Sequence, residues 1–173
     1  VIEANPNMRT QLRNMLGDSG IERVQLAVSA GAAVRKLREQ SFDLILCEYH
    51  LGEGQDGQHL LEDLRSNNII ALKTLFIMVT GERQYEKVIS AAELAPNDYV
   101  LKPFAADTLH RRIVRAVLKR AAFMPAYRRI EARDTPGALR ECVEAERRFP
   151  HYQIDFMRLR AELHVAVGEA DEA

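Results

Sequence analysis

Short apolar runs alternate with stretches of helical periodicity along residues 1–121. The apolar runs predict strands at residues 1–2, 24–28, 43–47, 74–80 and 98–102. The periodic stretches predict one helix that begins after Pro6 and further helices at residues 31–40, 58–66, 82–94 and 106–119. Because each right-handed crossover returns the chain in the same direction, this alternation predicts a parallel α/β sheet with helices on both faces.

A polar residue stands at the end of four of the predicted strands. Glu3 ends the first strand, Glu48 the third, Thr80 the fourth and Lys102 the fifth. Ligands of such sheets bind beyond the carboxyl ends of the strands, so we expect these four residues to meet at one edge, which we call the rim. Two plainer explanations remain: a surface ion pair between Glu48 and Lys102, and a Thr80 that merely ends a strand.

Composition excludes several classes of function for the 173-residue chain. Its 24 Lys and Arg residues balance 25 Asp and Glu residues, which gives no electrostatic preference for nucleic acid or for an anionic membrane. No apolar run reaches the ~20 residues that a membrane span needs. Cys47 and Cys142 are too few for a disulfide framework or a zinc site, and they predict reduced thiols in a cytoplasm.

The pattern changes after Pro125, where helices are predicted with breaks at residues 135–137 and at Pro150. From Lys119 onward ten basic and ten acidic residues cancel, which disfavours a DNA-reading surface. We therefore expect two domains, residues 1–121 and 122–173. Since the chain begins without methionine and stops in mid-pattern, we also expect a truncated first strand and an incomplete second domain.

The rim residues and their order resemble the receiver domain of bacterial two-component response regulators. The resemblance covers residues 1–121 and implies a flavodoxin-like, doubly wound fold of five parallel strands in the order 2-1-3-4-5. In VIEANPNMR, Glu3 stands at the first acid of the family's acidic pair, and Glu48 stands at the phospho-acceptor position. The other matches are Thr80 at the family's Thr or Ser, Tyr99 at its aromatic switch, and Lys102, before Pro103, at its Lys.

Two substitutions separate this chain from the family's pattern. Ala4 stands where the family has the second acid, a direct Mg²⁺ ligand, and it offers no side-chain oxygen. Glu48 replaces the acceptor Asp, and its extra methylene moves the carboxylate roughly 1.3 Å further out. A displacement near 1 Å can cost about 100-fold in a positioned phosphoryl transfer. We therefore expect no cofactor and a degenerate Mg²⁺ site at Glu3, Glu48 and the backbone of His50.

Glu48 also has a predicted positive role. Its carboxylate carries negative charge toward Thr80 and Lys102, where an aspartyl phosphate would hold its oxygens. We expect a pseudo-receiver locked in one state, which works without a kinase and acts by protein–protein interaction. The alternative is a response regulator that retains phosphorylation and signals through its C-terminal helices. Two plainer interpretations also stay open. Tyr99 is then an ordinary half-buried aromatic residue of a strand, and His50 is an exposed imidazole without a role.

The C-terminal helices resemble tetratricopeptide (TPR) repeats, whose period is ~34 residues. Residues 138–150 resemble the second helix of a repeat, and the helix that follows resembles the first helix of the next one, with an opening helix expected around residues 123–133. The residues that carry this resemblance are Ala138, Cys142, Ala145, Phe156, Leu159 and Leu163. The alternative is a generic extension of two or three helices.

The two resemblances together imply protein partners. We expect a histidine kinase or other signalling proteins, bound through the receiver surface and the TPR-like helices. The receiver family also implies a homodimer, through the face that contains the last strand and its flanking helices. Nucleic acid and membrane are not expected as partners, and the expected location is the cytoplasm. Because no nucleophile–base pair, metal cluster or phosphate-binding loop is found in the sequence, we do not expect an enzyme.

Overall fold

The computed structural model describes residues 1–52, 56–81 and 95–171, with side chains to residue 168. It divides into two compact units, Val1–Ala116 and Val117–Ala173. The predicted helix at residues 82–94 lies outside the described residues. No helix in the described part of the chain combines the length and the apolar character needed to cross a membrane.

A parallel sheet forms the centre of the first unit. Its three strands lie in the order β1 (Leu44–Glu48), β2 (Leu75–Thr80) and β3 (Asp98–Leu101). Every residue of β2 is buried, as expected for a central parallel strand covered on both faces. The register aligns the carboxyl ends, because Glu48 pairs with Val79 and Thr80 pairs with Leu101.

The first two predicted strands are reduced to single bridges among the described residues. Ile2 makes isolated parallel bridges to Ala27 and to Cys47, so the N-terminal segment lies between these two partners. The Ile2 N–H donates to the Leu46 carbonyl over 2.8 Å. The Glu48 N–H donates to the Ile2 carbonyl over 2.9 Å, and Ala27 exchanges hydrogen bonds with Val1 and Glu3, so each pairing is a single bridge. The described sheet therefore has three strands rather than the expected five.

Three short helices of the first unit begin at side-chain caps. They are α1 (Pro6–Asp18), α2 (Ala30–Glu39) and α3 (Gly57–Ser66). The side chains of Asn5, Ser29 and Asp56 accept hydrogen bonds from the first backbone N–H groups of these helices. Such caps satisfy donors that have no partner within the helix.

Helices cover both faces of the sheet, as the sequence pattern predicts. One apolar cluster joins α2 and α3 to alternate strand residues such as Phe76 and Met78. The other cluster joins α1 and the start of α4 (Ala106–Glu131) to Ile77 and Val79. Alternation of β2 side chains between the two clusters follows from the two-residue repeat of a strand.

The second unit contains the end of α4, then α5 (Thr135–Arg148), a 3₁₀ turn (Pro150–Tyr152) and α6 (Gln153–Asp171). Its core is built around Phe123 and Phe156, whose rings stack at 3.9 Å between centroids and 9° between planes. The prediction of a helix end at residue 119 and a separate helix at residues 123–133 was wrong. The helix α4 is continuous, because residues 120–124 contain no glycine and Pro125 removes a single N–H donor.

Candidate functional site at the rim

Backbone pairing brings the four predicted rim residues to one edge of the sheet. Glu3 follows the bridging residue Ile2, Glu48 is the last residue of β1, and Thr80 is the last residue of β2. Lys102 follows β3, and its N–H donates to the Thr80 carbonyl over 2.7 Å. The expected convergence at the carboxyl ends of the strands is therefore present.

Lys102 links two buried carboxylates. Its ammonium donates to Glu3 Oε2 over 2.8 Å and to Glu48 Oε2. Glu3 is 3% exposed and Glu48 is 8% exposed, so both charges lie largely out of water. Burial alone would lower the pKa of Lys102, but the hydrogen bonds and charges of Glu3 and Glu48 outweigh it and raise that pKa. The ammonium is thus held in its charged form between the two acids.

The remaining carboxylate oxygens are also engaged by the chain itself. Glu3 Oε1 accepts a hydrogen bond from the Asn5 N–H over 2.9 Å. Glu48 Oε1 accepts one from the His50 N–H over 3.2 Å. All four oxygens of the two acids therefore have donors from the protein. The sequence pattern gave no indication of the contacts from Asn5 and His50, because both are made by backbone N–H groups.

These residues do not fit a Mg²⁺ ion. Mg²⁺ requires several oxygen ligands at short range in near-octahedral geometry. Here the ammonium of Lys102 is bonded to both acids, Ala4 supplies no side-chain oxygen, and each carboxylate oxygen already accepts a hydrogen bond. Among the residues that the structure describes, no group of three or more His, Cys, Asp or Glu side chains is arranged to hold a metal.

Arg9 brings a second cation to the rim, and sequence reasoning missed it. Its Nη1 atom donates to the carbonyl oxygens of Glu3 and Ala4, each over 2.8 Å. The guanidinium thereby holds the start of α1 against the N-terminal segment that carries Glu3. Arg9 lies one turn into α1 and close to Glu3 in the sequence, which places it near the rim. Its contacts could not be predicted, because a contact to backbone oxygens leaves no pattern in the sequence.

Thr80 and Tyr99 have different surroundings from the ion cluster. Thr80 is fully buried at the end of β2. Tyr99 pairs with Met78 across the strands and packs, partly buried, against the apolar cluster of α2 and α3. The His50 imidazole is exposed and meets the ring of Tyr49 edge-on at 4.9 Å. The ion pairs of the cluster join the side chains of Glu3, Glu48 and Lys102.

Gly57 fixes the backbone next to Glu48. Its N–H donates to the Tyr49 carbonyl over 2.7 Å. A Cβ atom at this position would lie 2.7 Å from the Glu48 carbonyl oxygen and 2.7 Å from Met78 Sδ. Only glycine allows this approach, so the start of α3 is pressed directly against the end of β1.

The first unit is similar in sequence to known proteins. The family model described as the response regulator receiver domain matches residues 1–114. The chain is 31% identical over 114 residues to the chemotaxis protein CheY-3 of Vibrio cholerae, which covers 65% of this chain and 85% of that protein. The chemotaxis protein CheY of Pseudomonas aeruginosa is also 31% identical over 114 residues, with 65% and 90% covered.

Solved structures show the same fold. A CheY-like receiver domain from Methanospirillum hungatei superposes with a TM-score of 0.60 at 22% identity, covering 69% of this chain and 92% of that chain. The receiver domain of the Francisella response regulator 1452 gives a TM-score of 0.58 at 22% identity, with 68% and 93% covered.

Proposed function

The chain belongs to the response regulator receiver domain family of two-component signalling, and from that premise we propose that it is a degenerate, phosphorylation-independent receiver. In this proposal Glu48 replaces the phospho-acceptor Asp, and the protein acts by binding other proteins rather than as an enzyme. Its setting is the cytoplasm, where receivers meet histidine kinases.

The observation that carries the proposal is that both carboxylate oxygens of Glu48 already accept hydrogen bonds from the protein. Its carboxylate is bonded to the ammonium of Lys102 and to the His50 N–H, at the edge where phosphorylation occurs in the family. A nucleophilic oxygen must be accessible to the incoming phosphoryl group and close to a neutralising metal. Here both oxygens accept hydrogen bonds, and Lys102 supplies the neutralising charge.

Glu48 supplies part of the charge of a phosphorylated residue. A phosphoryl group carries close to two negative charges and three acceptor oxygens, against one charge and two oxygens for a carboxylate. The Glu48 carboxylate contacts Lys102 all the same, which is the contact that a phosphorylated acceptor would need. We infer one permanent state, held by this ion pair and independent of a kinase.

The second unit is proposed as a TPR-like docking surface. Its helices α5 and α6 pack around Cys142 and Phe156, which are both fully buried. At the start of α5 the Asp134 carboxylate accepts from the Gly137 N–H over 2.9 Å, so the helix begins at the predicted break. Repeats of this kind need about three units for stability, and their stacked faces bind protein partners.

Phosphorylation of the purified chain tests the proposal. The chain is incubated with Mg²⁺ and acetyl phosphate, and its intact mass is measured. We expect no added phosphoryl group on the wild-type chain. The variant Ala4→Asp/Glu48→Asp is the matched positive control, because it restores the second acid and the shorter acceptor together. Addition of one phosphoryl group to the wild type would overturn the proposal in favour of a receiver that retains phosphorylation.

Mg²⁺ titration by calorimetry separates the two lesions. We expect no heat of binding for the wild type and for Glu48→Asp, because both lack the oxygen ligand at position 4. We expect binding for Ala4→Asp/Glu48→Asp. Saturable binding by the wild type would contradict the account of Lys102 as the resident cation of the rim.

A further inference from the structure

The helix α6 is apolar on two opposite faces, and the core of its unit covers one of them. The inner face carries Phe156, Leu159 and Leu163, of which Phe156 is fully buried and the other two are partly buried. Residues at this spacing share one side of a helix, so the inner face accounts for the packing against Phe123.

The outer face of α6 is a continuous apolar stripe. The outer stripe consists of Ile154, Met157, Ala161, Val165 and Gly168. At 3.6 residues per turn it lies about half a turn away from the inner face. Ile154 is 77% exposed, Met157 is 53% exposed and Val165 is 60% exposed. Apolar side chains that are exposed together along one face mark an interaction surface.

We propose that the outer stripe pairs two copies of this chain, with the two α6 helices antiparallel about a two-fold axis near Ala161. The sizes of the side chains are self-complementary in this arrangement. Ala161 meets its own counterpart, which allows close approach at the centre. Met157 lies level with Val165 of the second copy, and the bulky Ile154 lies level with Gly168 of the second copy.

Charge along the border of the stripe is self-complementary as well. Arg158 and Glu162 are both exposed and lie on the same side of the stripe, four residues apart. The two-fold axis places Arg158 of one copy near Glu162 of the second copy, and the reverse pair follows by symmetry. In a parallel pair the two-fold axis would run along the helices and place Arg158 of one copy and Glu162 of the second copy on opposite borders of the contact, where they would not meet. The order of the charges therefore favours the antiparallel pair.

The pairing is expected to be weak. A few side chains per copy fall well short of the roughly 20 residues per side of a standard stable interface, so we expect a dissociation constant on the order of 10–100 μM. This surface lies in the second unit, and the inference does not depend on the chemistry of the rim.

Cysteine cross-linking of the 173-residue chain tests the geometry. The variant Ala161→Cys places two thiols at the proposed axis, where the Cβ atoms come within the ~4 Å that a disulfide needs. Ala166→Cys is the matched control, since it is also an exposed alanine of α6 but lies outside the stripe. The native Cys47 and Cys142 are buried and do not interfere. We expect a covalent dimer at least about tenfold faster with Cys at position 161 than at position 166.

Charge exchange tests the direction of the pair. In sedimentation velocity at about 200 μM, a few times the expected constant, we expect dimer for the wild type and monomer for Arg158→Glu. The double exchange Arg158→Glu/Glu162→Arg should restore the dimer. Far-UV circular dichroism checks that each variant keeps its helices. A monomeric wild type, equal cross-linking at positions 161 and 166, or no recovery in the double exchange would overturn the proposal, and a different occupant would then cover the stripe.

Discussion

Removal of the Lys102 ammonium is predicted to destabilise the first unit strongly. Lys102→Met keeps most of the side-chain volume but leaves Glu3 and Glu48 buried without a counter-charge. At the 2.8 Å between Lys102 Nζ and Glu3 Oε2, the Coulomb attraction alone is about 6 kcal/mol at an effective dielectric constant of about 20. Desolvation of the three charges offsets part of this. We therefore expect a net loss of about 3 kcal/mol, at the lower end of values for a broken buried ion pair.

Urea unfolding followed by circular dichroism measures this loss as a shift in midpoint at unchanged slope. A matched cycle with Glu48→Gln isolates the interaction between Lys102 and Glu48. The double variant Lys102→Met/Glu48→Gln retains just one of the two buried acidic charges. We expect it to recover about 1–2 kcal/mol of the loss, because less charge remains uncompensated.

A control shows whether the effect belongs to the rim. Arg111 and Asp107 form an ion pair of 2.6 Å on an exposed face of α4, and Arg111→Met should cost under about 0.5 kcal/mol. If Lys102→Met cost no more than this control, the reasoning would be refuted. The cluster would then be solvated like an ordinary surface pair.

Four further predictions follow from the same structure. Because the folded pKa of Lys102 is raised, its contribution to stability is present in full below the unfolded value of 10.5 and is lost as the pH rises through the folded value; urea titrations should show this alkaline loss in the wild type and not in Lys102→Met. Phe156→Ala should destabilise the second unit by about 3–5 kcal/mol in thermal unfolding, since Phe156 is fully buried and stacked on Phe123. Gly57→Ala should cost about 1–3 kcal/mol in urea, because its Cβ meets backbone and Met78 at 2.7 Å. Asp134→Ala removes the cap of α5 and should lower the thermal stability by about 1 kcal/mol.

The proximity of Glu3, Glu48 and Lys102 could be predicted, because their positions at the ends of predicted strands were enough to locate them at the rim. Each follows or ends an apolar run, and parallel strands bring such ends to one edge. The donors that complete the cluster could not be predicted in this way. Every residue except proline has a backbone N–H group. Nothing in the sequence indicates that the N–H groups of Asn5 and His50 are the ones that face a carboxylate.

The predicted elements differ from the structure at two places. Residues 24–28 have the apolar content of a strand, and Ala27 exchanges hydrogen bonds with Val1 and Glu3 around its bridge to Ile2, but the pairing is limited to that single bridge. The end of the helix α4 was placed too early, at residue 119, and a separate helix was expected around residues 123–133, although one helix runs through both stretches and contains Pro125. Proline costs a helix one donor and some strain, and the apolar packing of Phe123 and Ala126 on both sides of it offsets that cost.

The counter-charge of the acids at the rim is a side chain of the same polypeptide. A chelator cannot withdraw it, and changes in the concentration of free ions in the surrounding solution do not alter its occupancy. In the proposed phosphorylation-independent receiver, the electrostatic balance of this edge is therefore fixed when the protein is synthesised, and the amount of protein present is the variable that a cell can adjust.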